Sequence, residues 1–292
     1  MQNYAINKIT FITLTILVSL LSTNVWAKSS VWKVSKGNNY IYIGGTVHIL
    51  PLAEFPLPEE FEQAYKDSDS IVLEAKLPDE SDFAAQIQMM QQMSYSNGKN
   101  ISDYISKNTY QQLNQYVASL GADLKMLQQF KPGFLVTMLT VLEVQRAGLA
   151  GEGVDNFYSK QAMKDGKAIA YFETAEFQMN MIANMGIGNE NKFIESNLKQ
   201  MKDFKNLFTG LIAAWRSGNA QQLNKLAIKP MEDDPKTLKL MLTDRNKNWV
   251  QDINTMFTDK DREFVLVGVA HLVGNNSVLS LLKAQGYRVE QM

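Results

Sequence analysis

The chain has 292 residues, no cysteine, and almost balanced charge, with 29 Lys and Arg against 30 Asp and Glu. Without cysteine there is no disulfide scaffold, no thiolate metal ligand and no cysteine nucleophile. No basic stripe stands out, so nucleic acid is not an expected partner.

In chain order, the first feature is an export signal. Lys8 is the only charge before Lys28, Ile9 to Leu21 is apolar apart from threonines and a serine, and Val25-Trp26-Ala27 ends in small residues. This predicts a signal peptide over 1–27, cleavage after Ala27, and a periplasmic or secreted mature chain over 28–292. The apolar run is short for a membrane span, and nothing later resembles one, so no stable span is expected after cleavage.

A hairpin follows, Val31 to Val34 and Tyr40 to Ile43 around a polar turn. Then come a proline-punctuated loop (Pro51 to Pro58), a short helix (Glu59 to Asp67) and a strand (Ser70 to Ala75). A mainly helical portion runs over about 79–148, with pieces Ser81 to Met93, Thr109 to Leu120, Asp123 to Phe130 and Pro132 to Arg146. The loop Gly148 to Gly153 lacks the order of a dinucleotide site. A helix from Val154 to Asp165 and a strand from Lys167 to Phe172 come next. Helices are then expected over Ala175 to Met185, Lys192 to Trp215 and Thr237 to Phe257. A strand closing on His271, a helix from Val278 to Gln285 and a short strand at Tyr287 to Val289 complete the chain. This alternation predicts one α/β domain: a central, mostly parallel or mixed sheet flanked by helices, with a large helical insertion between the second and third site strands.

The chain contains only two histidines. His48 closes Tyr40 to Val47 and His271 closes Glu263 to Ala270, each an apolar run followed by Gly-x-x-His. Two further apolar strands end on carboxylates, Glu74 and Glu173. If the four strands are parallel, these groups share one rim of the sheet, where ligands gather in open α/β folds. Two neutral imidazoles with one or two carboxylates suit a divalent metal ion such as Zn²⁺, Mn²⁺ or Co²⁺. Such an ion supports hydrolysis, with a spare carboxylate as general base. The matching contexts predict near-equivalent roles for the two histidines.

These residues carry a resemblance. The chain resembles the TraB/PrgY/GumN family, which is related to the Tiki metalloproteases of animals that act on Wnt. The matching features are Val31 to Val34, Gly45-Thr46-Val47-His48, Val72-Leu73-Glu74, Gly153-Val154-Asp155, Glu173-Thr174 with Glu176 and Gln178, Arg245-Asn246 with Trp249, and Gly268 to Gly274. The resemblance implies a divalent metal on His48 and His271 with Glu74 beside them. It implies an exported metal-dependent hydrolase, most plausibly a peptidase or amidase, acting on a peptide or other cell-envelope substrate. The wider relatives include haem-binding ChaN-like proteins and erythromycin esterases, so a non-catalytic haem-, metal- or peptide-binding protein is the competing reading. Gly133 and Ala75 depart from the residues common in similar proteins.

Single residues have competing roles. Glu74 and Glu173 are candidate catalytic carboxylates, although Glu173 with Thr174 and Gln178 could instead cap a helix. Arg245 is a candidate oxyanion or substrate clamp beside Asn246, or an ion-pair partner of a site glutamate. Asp155 reads first as a helix cap. Met89, Met90 and Met93 read as packing residues rather than copper ligands.

Overall fold

A computed structural model describes residues 28–76, 82–258 and 260–292. The expected signal peptide (1–27) lies outside the described residues. Six strands form one mixed sheet: β1 (Val31–Lys36), β2 (Asn39–Thr46), β3 (Ser70–Ala75), β4 (Ala168–Glu173), β5 (Glu263–Gly268) and β6 (Arg288–Gln291). Their order is β4-β3-β5-β2-β1-β6. β2, β3 and β4 are tied into one parallel block through β5 and β3, while β1 runs antiparallel to both β2 and β6.

The two central strands read as continuous apolar runs because both faces of the sheet are covered. Phe264 and Leu266 of β5 enter one core with Tyr42, Phe61, Tyr158 and Trp215. Val265 and Val267 enter the opposite core with Ile41, Ile43, Trp249 and Leu282. The glycines at the end of β2 permit this closeness. A Cβ on Gly44 would lie 2.8 Å from the Phe264 ring, and one on Gly45 would lie 2.8 Å from Val269 Cγ2.

Helix α1 (Glu59–Asp67) crosses from β2 to β3. Between β3 and β4 run α2 (Phe83–Met93), α3 (Lys107–Ser119), α4 (Leu124–Leu127), α5 (Pro132–Arg146) and α6 (Val154–Asp165). After β4 come α7 (Ala175–Asn184), α8 (Glu190–Met201), α9 (Phe204–Arg216), α10 (Ala220–Leu223), α11 (Pro235–Leu238), α12 (Asp244–Met256) and, beyond β5, α13 (Val278–Ala284). A third core joins Met93, Leu113 and Leu139 to Ala183, Phe193 and Leu198. The helical layer therefore reaches past β4 into α7 and α8 and is not bounded near residue 148.

Two long helices expected from periodicity are divided. Over Lys192 to Trp215 the chain breaks between α8 and α9 because the halves serve different cores. Phe193, Ile194 and Leu198 join the helical core, whereas Ile212 and Trp215 join the sheet core. Over Thr237 to Phe257 a π-helical segment, Lys239–Thr243, separates α11 from α12. Its wider turn resets the phase of the helix just before Arg245, as such segments often do beside functional sites.

Candidate functional site

Four parallel strands end at one edge of the sheet, and His48, Glu74, Glu173 and His271 lie at that edge. The structure brings three of these side chains around Gly268. A Cβ built on this glycine would stand 3.2 Å from Glu74 Oε1, 3.7 Å from His271 Cδ2 and 3.7 Å from His48 Nε2. The two imidazoles thus approach within twice that last distance. No larger residue would leave this space open.

Each histidine is oriented through Nδ1. His48 Nδ1 lies 3.1 Å from Asp155 Oδ1. His271 Nδ1 lies 2.5 Å from Asn246 Oδ1. Donation of Nδ1–H to these oxygens leaves Nε2 as the second nitrogen of each ring, the tautomer typical of metal-ligating imidazoles; His48 Nε2 faces the space at Gly268, whereas His271 Nε2 faces Arg245. Asp155 reaches His48 because α6 is docked on the backbone of the first motif. Val154 N–H donates to Val47 O at 3.1 Å, and a Cβ on Gly153 would lie 2.3 Å from His48 O. Gly153 is the N-cap of α6, so Asp155 is not the cap expected from sequence.

The inner half of the site is organised by Arg245, which is 3% exposed. Its Nε donates to Glu173 Oε1 at 2.8 Å, and Nη2 donates to Glu173 Oε2 at 2.9 Å and to Glu74 Oε2 at 2.5 Å. Nη1 donates to Met241 O at 3.0 Å and to His271 Nε2 at 3.1 Å. All five guanidinium N–H donors are thereby used. Glu173 is saturated in turn, since it also accepts from Trp249 Nε1 at 3.0 Å and Gln178 Nε2 at 3.1 Å. Thr174, not Glu173, caps α7, accepting from Phe177 N–H at 3.1 Å.

Glu74 accepts from Gly268 N–H at 2.7 Å on Oε1 and from Gln178 Nε2 at 3.1 Å on Oε2, besides Arg245. Burial opposes its charge, but the neighbouring His271 and Arg245, with His48 and Gly268 N–H, hold its carboxyl down to about 2. For His271, burial lowers the imidazole to about 3 against the attraction of Glu74, so the ring is neutral. His48 moves the other way. Desolvation by surrounding protein lowers it, but the hydrogen bond and charge of Asp155, helped by Glu74, raise it to about 9. Its side chain nevertheless keeps 63% of its surface exposed, so solvent weakens this attraction.

Asn246, 2% exposed, has both ends engaged: Oδ1 accepts from His271, and Nδ2 donates to Asn276 O at 2.8 Å. Trp249 lies against the His271 ring, with centroids 4.3 Å apart. Arg245 and Asn246 are the expected substrate contacts, yet all five donors of Arg245 and one of the two amide N–H groups of Asn246 are already bound within the protein. Trp249 carries no role in the sequence reading, and Gln178 appears there only as part of a helix cap. Their spacing from Arg245 and Thr174 on helices was the available signal. Gly133 packs against α7, where a Cβ would stand 2.1 Å from Ile182 O.

The chain matches the TraB/PrgY/gumN family over residues 30–291. It belongs to that family. Comparison with curated proteins and with solved structures gives no match. In this family member the motif residues form two bonded groups that meet around Gly268, Asp155 with His48 and Glu74 with Arg245, Glu173 and His271.

A divalent cation suits the donor set in part. Metal–ligand bonds of about 2.0–2.2 Å put two ligand atoms of one ion up to about 4.2 Å apart. His271 Nε2 and Glu74 Oε1, 3.9 Å apart, meet this limit. The two carboxylates also outnumber the single guanidinium. Among the described residues, however, no group of three or more His, Asp or Glu side chains is drawn tightly enough to hold an ion as it stands. His48 stands farther out, and Arg245 Nη1 occupies the lone pair of His271.

Proposed function

We propose that this protein is an exported metal-dependent hydrolase, most plausibly a peptidase or amidase, acting on a peptide or other cell-envelope substrate. The observation carrying this reading is the gathering of His48 Nε2, Glu74 Oε1 and the edge of the His271 ring around Gly268, with both imidazoles oriented through Nδ1. His48, His271 and Glu74 would hold the ion, with Mn²⁺, Co²⁺ and Zn²⁺ as candidates. When bound, such an ion lowers the pKa of water and polarises a substrate carbonyl.

The chain's own residues divide the remaining work. Glu74 Oε1 keeps one acceptor position beyond its bond from Gly268 N–H; that position would hold the ion, or take a water proton in its place, and cannot do both. Arg245, anchored by Glu173, fixes Glu74 and His271 and keeps charge balanced in the buried half. For Arg245 to reach a substrate oxygen, binding must first displace one of its present acceptors. Asp155 orients His48 from behind. The signal-like start supports export, and no helix among the described residues is long and apolar enough to cross a membrane.

A second reading, a binding protein without turnover, draws on the saturation of Glu173, which leaves no spare carboxylate as base. Metal analysis of purified protein, then cleavage of a peptide library with Mn²⁺, Co²⁺ or Zn²⁺, separates the two. Metal-dependent cleavage lost in His48→Ala is the expected result. Bound metal without turnover would leave the binding protein, and neither metal nor cleavage would remove the hydrolase. Mass spectrometry of the native protein is expected to find a chain beginning at Lys28.

A further inference from the structure

The two outer strands of the sheet treat their free edges differently. β6, at one end of the strand order, carries the charged pair Arg288 and Glu290. Charges of this kind keep an exposed edge from pairing with another chain. β4, at the other end, reads Ala-Ile-Ala-Tyr-Phe over 168–172, with neither lysine nor proline. It pairs with β3 alone, and no described residue outside β3 bonds to its backbone. Alternate N–H and C=O groups along its outer side are therefore open to another strand. Ala168 and Ala170 are exposed and add no bulk that would cover these groups. The charged residues at the two ends of the run are turned inward. Lys167 Nζ donates to Tyr65 O at 2.6 Å and to Ser68 O, and Glu173 is held by Arg245.

The order of side chains along β4 selects its partner. An antiparallel second copy with its twofold axis at Ala170 sets Ala170 against itself. It then sets Ala168 against the second copy's Phe172, small against large. Ile169 falls against Tyr171, a β-branched and aromatic pair of the kind that stabilises sheets. Lys167 falls opposite Glu173, so no like charges meet along the pairing. The faces agree as well. Ile169 and Tyr171 pack on the core of Phe264, whereas Phe172 stacks on Trp249 of the opposite core. Moving the axis by one residue loses this match, because Glu173 then falls opposite Asp165 or opposite Ile169.

We propose that β4 is a dimer edge, where a second copy of this chain pairs antiparallel about Ala170 and joins two six-stranded sheets into one. The inference is independent of the hydrolase reading. Because the pairing is antiparallel, the two His48 rims lie at opposite edges of the joined sheet, and neither site needs the other. A single short strand from each copy makes a small interface, and interfaces of that size associate weakly.

Sedimentation velocity of the mature protein, up to about 300 μM, is expected to show a concentration-dependent shift from one chain to two. Ala170→Lys and Ala170→Glu, at an exposed position, set like charges across the axis, and each variant is expected to stay monomeric. Mixing the two variants is expected to restore the dimer. Because the chain has no cysteine, a single introduced thiol reads the register. Ala170→Cys brings two Cα atoms to about 4.5–5.5 Å, within disulfide reach, and is expected to give a covalent dimer under mild oxidation. In Ala168→Cys the two positions lie about 14 Å apart along the strands, and no crosslink is expected. Circular dichroism checks that each variant folds, and the two cysteine variants decide the matter should the charged ones unfold. A wild-type chain that stays monomeric, a dimer indifferent to Ala170→Lys, or equal crosslinking of the two cysteine variants would overturn the proposal.

Discussion

The two Gly-x-x-His motifs begin alike in sequence and end in opposite surroundings. His48 stands in the loop after β2, exposed, tied to a carboxylate, and raised to about 9. His271 lies in a 3₁₀ turn after β5, buried at 4% exposure, tied to an amide and to Arg245, and lowered to about 3. Their glycines differ as well: Gly45 lets β2 approach Val269, whereas Gly268 is the floor of the site. One motif supplies an accessible, charged imidazole and the other a rigid, neutral one. The near-equivalence expected from their contexts therefore does not extend to their environments.

The strongest way to break this comparison is at the buried half. Arg245→Ala leaves Glu74, Glu173 and His271 without their shared partner, and loss of one member of a buried ion pair costs about 3–5 kcal/mol. Urea denaturation is expected to show a loss of that size, or no folded protein. A loss under about 1 kcal/mol would mean that the network does not hold this half together.

At the histidines the expected effects separate. His271→Ala should lose both metal binding and stability, since Asn246, Arg245 and Trp249 all pack on the ring. His48→Ala should lose metal binding with little change in melting temperature. Asp155→Asn should weaken metal affinity about 10- to 100-fold, as for other residues that orient a ligand, with a stability cost of about 0–1 kcal/mol. Calorimetric metal titration beside thermal melts reads all three. Equal melting losses in the two alanine variants would cancel the proposed asymmetry.

The smallest effect is on the pH dependence of the metal-free protein. His271, lowered from the usual 6.5 to about 3, takes up a proton in the unfolded chain that the native ring refuses, so its stability contribution falls as pH drops below about 6.5. Glu74, lowered from 4.5 to about 2, adds a loss as pH falls from about 4.5 towards 2. His48, raised from 6.5 to about 9, contributes fully below 6.5 and loses its contribution as pH rises through 9. Melting in EDTA should thus peak near pH 6.5. His271→Asn should flatten the acid limb between about 4.5 and 6.5, and His48→Asn the alkaline limb. If either change flattened the other limb, the assignment of charge states would be reversed.

Much of this arrangement was legible along the chain. Continuous apolar runs marked β2, β3 and β5, and a polar residue closing each of four strands marked the rim. The α/β class, the family and the residues that meet at Gly268 all follow from such local patterns, because strand burial and strand ends leave a record in adjacent positions. What the sequence could not fix depends on distant groups. The division of Lys192 to Trp215 into two helices follows from two separate cores, which leave the periodicity of each half intact. Asp155 looked like a helix cap until α6 docked on the His48 backbone, and Glu173 looked like a spare base until four donors filled its lone pairs. The opposite charge states of two similarly framed histidines were decided by the same means: a carboxylate brought from α6 in one case, and an amide and a guanidinium brought from α12 in the other. Burial and electrostatics act through space, so only the tertiary structure could assign them.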